Sequence, residues 1–204
     1  MADARKIRRI GVLCLYCIGN IASYRAGWTN KKVFRVNTDF WRKVNGNFLD
    51  IATLDWCKIF VEHDGKHHWS TIFPDKKSFR TDLFSGINVS EKDFKNEIKE
   101  IKKYRDKFLA HLDEPTTLYY PKAEIMLKSS MYLYHQLATN PKTRMALSGA
   151  LIDPQDFYDE YYQVALKEIG NAEMMQRGGC KPSAKKPTYK RSVAKKAPRG
   201  PYTP

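Results

Sequence analysis

The chain reads as an all-α protein, a bundle of about five helices followed by a disordered basic tail. Three observations predict this. Apolar residues recur at three- and four-residue steps along most of the first 176 positions, no segment shows convincing strand alternation, and large aliphatics almost vanish after Gly178. A chain of 204 residues can bury one sizeable core without disulfides or metals, so a single domain over 1–176 and a tail over 177–204 are expected.

The first helix is expected from about Asp3 to Tyr24, with Ile7, Ile10, Leu13, Cys14, Cys17, Ile18 and Ile21 on one face. Its opening, "MADARKIRR" before "IGVLCLYCIGNIA", imitates a secretory leader, but Gly11, Gly19 and Asn20 interrupt a short apolar run that continues as an amphipathic pattern. A cytoplasmic protein is the expectation, and no run approaches the roughly 20 apolar residues of a membrane span. A second helix starts at Thr38-Asp39 and carries Trp41, Val44, Phe48, Ile51, Leu54 and Ile59 to about Glu62. Residues 63–89 lose the period and read as an irregular connection with one short helix near Lys76 to Phe84.

The third helix opens on the capping-box pattern "SEKD" at Ser90 and ends before Pro115. Its seam runs Phe94, Ile98, Ile101, Arg105, Phe108 and Leu112, which puts an arginine where the pattern wants an apolar side chain. A fourth helix from about Pro121 to Leu137 is apolar on most sides, as a central element would be. The fifth starts at "DPQD", where Asp153 can cap and Pro154 suits the first helical position, and runs to about Gln176.

Charge divides the chain. The 36 Lys and Arg face 22 Asp and Glu, but nine of the former and none of the latter fall in 177–204, leaving only +5 on residues 1–176. The tail, with Lys185, Lys186, Lys190 and Arg191, suits phosphate contacts without sequence preference. In the 63–89 segment Lys66, Lys76, Lys77 and Arg80 alternate with Trp69, Phe73 and Phe79. That composition fits single-stranded RNA through ion pairing and stacking, or an aromatic anchor to the core. Four cysteines at 14, 17, 57 and 180 do not make a disulfide scaffold. Zinc shared between Cys14-Cys17 and His63, His67 and His68 is disfavoured by the long separation and the lack of a second CxxC. No metal or cofactor is expected.

Arg105 on an apolar seam needs a partner, a ligand or an interface. One reading is a structural ion pair, with Asp55 of the second helix as partner. The other is phosphodiester chemistry with His111, six residues on. The spacing itself carries no weight in a chain with five histidines and many arginines. On an ideal helix the two side chains diverge by about 120°, so a cleft at an unwinding helix end, or a two-fold dimer, is needed to bring them together. Internal attack by a 2′-hydroxyl would need an acid and a base, which histidine supplies near neutral pH, and a cationic fork for the phosphorane, which arginine supplies.

The stretch "RDKFLAH" at the end of a helix resembles the signature of the HEPN superfamily. The longer run from "VNTDFWRKVNGNFLDIATLDWCKIF" through "KEIKKYRDKFLAHLDEP" is similar to its AbiU-type abortive-infection proteins, over roughly residues 35 to 137. The resemblance implies a helical homodimer with metal-independent endoribonuclease activity in phage defence, or a toxin neutralised by an antitoxin. Arg105 and His111 would be the catalytic pair and Asp106 the orienting residue. The resemblance also implies non-catalytic members that bind RNA or nucleotides, and the alternative expectation is a silent member that binds RNA or a partner protein through the dimer cleft and basic tail. Asp113 stands where some toxins of the group carry a tyrosine modified by a partner enzyme, so that route of neutralisation is not implied.

Overall fold

The structure, a computed structural model, describes residues 3–31, 36, 39–110, 120–147 and 152–178. The element order is α1 (Ala4–Trp28), α2 (Asp39–Phe60), α3 (Lys76–Ile87), α4 (Glu91–Tyr104), a π-helical turn (Arg105–Ala110), α5 (Ala123–Thr139), the one-turn α6 (Pro141–Arg144) and α7 (Pro154–Gly178). No strand occurs among the described residues, and the fold is an all-α bundle. Among the same residues no helix is long and apolar enough to cross a membrane. The start signal at Thr38, the stop at Pro115 and the tail from 179 lie outside the described residues.

The hub is α1, which packs against α2, α5 and α7. Its Ile10, Cys14, Cys17, Ile18 and Ile21 are fully buried. Small residues on its other sides let neighbours approach: a Cβ on Gly11 would stand 2.7 Å from Leu147, and one on Gly27 would stand 2.1 Å from Asn45. The sequence reading ends this helix near Tyr24, but it continues to Trp28 because Gly27 serves close packing. With its amide oriented to satisfy both groups, Asn45 donates to the Tyr24 carbonyl at 3.3 Å and accepts from Trp28 Nε1 at 3.2 Å, pinning this last turn to α2.

The contact of α2 with α5 centres on Trp56. Its ring has no exposed surface and stacks on Phe60 at 5.2 Å, and its Nε1–H donates to Ser129 Oγ at 2.8 Å. The Ser129 hydroxyl in turn donates to the Ile125 carbonyl at 2.6 Å, so the indole N–H and the hydroxyl of this interior contact are both satisfied. Cys14, Cys17 and Cys57 are free and buried. Burial pushes the thiols of Cys17 and Cys57 up to about 12, which leaves them protonated and unreactive at neutral pH. No three His, Cys, Asp or Glu side chains gather in a metal-binding arrangement among the described residues.

Residues 61–75 form the irregular connection expected, held by aromatic stacking. Trp69 lies 4.5 Å from Phe79, which lies 4.4 Å from Phe73, and Trp69 and Phe79 are buried. These three rings therefore anchor the loop to α3. Asp75 caps α3 by accepting from the Ser78 N–H at 3.0 Å, and Asn88 closes it in the left-handed region. Ser90 caps α4 through the Asp93 N–H at 3.1 Å, with Glu91 and Asp93 in the first turn, as "SEKD" predicts.

Candidate functional site

The regular part of α4 ends at Tyr104, which takes the buried place on the seam after Ile101 and donates its hydroxyl to Asp50 Oδ1 at 2.6 Å. The backbone then widens into the π turn Arg105–Ala110, a local expansion that often accompanies functional sites. Arg105 opens this turn with its side chain 17 % exposed, lodged against α2 rather than sealed in the core. His111 follows directly and lies outside the described residues.

The guanidinium of Arg105 is held by two carboxylates. Nε donates to Asp106 Oδ1 at 2.7 Å, with Nη2 at the same distance, and Nη1 reaches Glu62 Oε1 at 3.4 Å. Burial pulls its pKa down, but the bond to Asp106 and the charges of Asp106 and Glu62 outweigh that and raise it. Asp55, the partner considered from sequence, is engaged elsewhere. Its side chain is buried and accepts from Lys58 Nζ at 2.8 Å. The structural ion pair of Arg105 is thus made with Glu62 and Asp106 instead.

Glu62 also forms part of the wall of an open groove of about 560 Å³, lined by Arg8, Arg9, Val12, Leu13, Lys58 and His67. Arg105 does not line this cationic groove and is linked to it through Glu62. Burial, then the charges of Arg9 and Lys58, lower the pKa of His67. This ring is neutral at pH 7 and can accept or share a proton there. Sequence reading missed the groove because "RKIRR" resembles the start of a leader, whereas folding lays Arg8 and Arg9 beside the end of α2.

Lys76, Lys77 and Arg80 sit on α3. Lys76 and Arg80 line a second cleft of about 580 Å³ on the other side of the 61–75 loop, while Lys77 is exposed outside that lining. Lys185, Lys186, Lys190 and Arg191 lie outside the described residues.

His68 sits in the wall of this second cleft and is 2 % exposed. Its Nδ1 accepts from the Ser70 N–H at 3.3 Å and meets Ser70 Oγ at 2.8 Å, which places the proton on Nε2. That Nε2 is buried without a well-formed hydrogen bond. Burial, then the charge of His63, carries the pKa of His68 from 6.5 down to about 4, with only the Phe60 carbonyl and none of its neighbouring cations favouring protonation. The unfolded chain binds a proton here between pH 6.5 and 4 and the folded chain does not. Stability contributed by neutral His68 is therefore complete above pH 6.5 and falls as the pH drops. Urea denaturation is expected to show about 2 kcal/mol lost through this group between pH 6.5 and 5. In His68→Gln that part of the slope disappears; an identical pH slope in both proteins would contradict a neutral buried ring.

Fold and site together define an all-α protein with an acid-clamped arginine on a π turn and two cation-lined clefts. Comparison with protein-family models, with curated proteins and with solved structures finds no match to the chain.

Proposed function

We propose that the protein is a metal-independent endoribonuclease of the HEPN type, acting from a cytoplasmic homodimer in phage defence or as the toxin of a toxin-antitoxin pair. In this reading Arg105 holds the scissile phosphate, His111 moves the protons and Asp106 keeps the guanidinium oriented. The observation that carries it is the orientation of Arg105, held by Asp106 and linked through Glu62 to a groove whose Arg8, Arg9 and Lys58 suit a polyanionic strand. A fork held in one orientation stabilises a developing phosphorane without reorganising.

A second reading has its own support. Both carboxylates already occupy Arg105, an arrangement that equally suits a catalytically silent module binding RNA, or a protein partner, through the same groove. Incubation of RNA with the protein in EDTA separates the two. The nuclease reading expects cleavage that is lost in Arg105→Ala and His111→Ala, whereas the silent reading expects RNA retention on the groove and no cleavage by any of the three.

A further inference from the structure

A third cleft, between α2 and α7, differs in charge from the two that cations line. Both helices pack on α1, and between them opens a space of about 220 Å³ floored by Ser23 and Asn45. Trp41 and Phe48 of α2 and Tyr161 of α7 share its wall with Val44, Val164 and Ile169. In a chain of formal charge +14 no lysine or arginine lines it, and its one charged lining residue is Glu168.

The polar groups of the floor are already engaged. Ser23 Oγ donates to the Gly19 carbonyl at 3.0 Å, and the Asn45 amide is taken by the Tyr24 carbonyl and the Trp28 indole. Glu168 is not. It is exposed and makes no ion pair among the described residues, and the positions three and four away hold Val164, Ala165, Asn171 and Ala172, so no helical neighbour neutralises it. The rings keep open faces as well. Phe48 is half-buried and has no ring packed on it among the described residues, while Tyr161 is 44 % exposed with Phe157 as its one ring neighbour there, at 4.5 Å. An unpaired carboxylate beside an aromatic and aliphatic wall suits a cation on an apolar body. The carboxylate meets the charge, the π faces attract it from within about 6 Å, and the aliphatic side chains take the body out of water. A space smaller than the roughly 300–1,000 Å³ of drug-sized sites limits that body to one ring or a short alkyl chain.

We propose that this cleft binds a small free organic amine, one ammonium on a single ring or short alkyl chain, with the ammonium beside Glu168 and the body on the wall formed by Phe48, Tyr161 and Val164. The assignment stands on this cleft alone and does not depend on Arg105 or on RNA cleavage.

Titration of the full chain at fixed ionic strength, read by ligand-observed NMR, tests it with 2-phenylethylamine, benzyltrimethylammonium and hexylamine. Their neutral and anionic counterparts, 2-phenylethanol, hexanol and 3-phenylpropionate, run alongside, with N-acetyl-lysine methylamide standing in for the lysine of a polypeptide. At least one free amine is expected to saturate with a Kd below about 1 mM and to bind at least about fivefold more tightly than the alcohols and the carboxylate. Glu168→Gln alters an exposed side chain and is expected to abolish that preference at an unchanged melting temperature. Val164 is 55 % exposed and one turn from Glu168, so Val164→Lys places an ammonium of the chain's own against the carboxylate. That variant is expected to lose amine binding with no drop in melting temperature. The proposal is overturned by the absence of saturable amine binding, by an alcohol or the carboxylate binding as tightly as the best amine, or by an amine preference that survives either substitution. Tighter binding of the lysine derivative than of every free amine overturns it too, since the cleft would then belong to a polypeptide partner.

Discussion

Trp56→Ala is expected to lower the melting temperature by about 10–15 °C. The ring is wholly buried between α2 and α5, stacked on Phe60 and tilted against Phe94 at 6.1 Å. Removing a buried tryptophan costs about 3–5 kcal/mol, because transfer free energy is lost and the cavity collapses only in part. In a domain of this size each kcal/mol moves the midpoint by about 2–4 °C. The hydrogen bond can be weighed separately. Ser129→Ala leaves the indole N–H buried without its acceptor, a penalty of about 1–3 kcal/mol, while Trp56→Phe removes donor and ring area together. Thermal melts of the three variants should rank Trp56→Ala as the most damaged. A shift of only a few degrees for that variant would show that the contact between α2 and α5 is not the keystone of the core.

The limits of helices were most legible where local chemistry sets them. Ser90 caps α4 by a bond confined to four residues, and Asp75 does the same for α3, so neither depends on the rest of the molecule. The short helix expected near Lys76 to Phe84 runs on to Ile87 for the same reason, since Asn88 provides its closure. Centrality is different in kind. The apolar character of 121–137 pointed to a central α5, which packs against α1, α2, α3, α6 and α7; the equally central place of α1 was not legible, because close approach there depends on Gly11 and Gly27 having no side chain.

The candidate site was legible in part. An arginine on an apolar seam demands an acid, and in the sequence Asp55 on the seam of α2 is the plausible one. Glu62 lies two residues past the end of α2, at the start of the irregular connection, so the pairing acid comes from just beyond the helix chosen and not from its seam. The register of α4 against α2 decides between them, and register comes from packing such as the Tyr104 hydroxyl on Asp50. The π turn was hidden as well, because "RDKFLA" contains no glycine or proline to mark a widened backbone. Groove residues Arg8 and Lys58 are fifty positions apart, and only the contact of α1 with α2 joins them.

Arg105→Ala is expected to reduce RNA cleavage by at least about 100-fold, the usual loss when one preorganised donor to a developing oxyanion is removed. The fold should survive. The ion pair with Glu62 is long, and Glu62 is 47 % exposed, so the pair contributes no more than about 1 kcal/mol. Arg105→Lys should fail to rescue, because an ammonium cannot keep both the two-nitrogen grip on Asp106 and a second hydrogen bond to phosphate. Glu62→Gln separates the nuclease reading from a purely structural ion pair. An incoming phosphate must compete with Glu62 for Nη1, and the same carboxylate repels the strand in the cationic groove. Neutralising it should therefore tighten RNA binding several-fold and flatten none of the salt dependence, which comes from Arg8, Arg9 and Lys58. A structural pair behaves oppositely, since Glu62→Gln and Arg105→Ala would then both act on stability alone and leave RNA untouched. Cleavage assays in EDTA with binding measured across a salt series read both quantities. Wild-type cleavage by Arg105→Ala would remove Arg105 from the chemistry, whatever the groove binds.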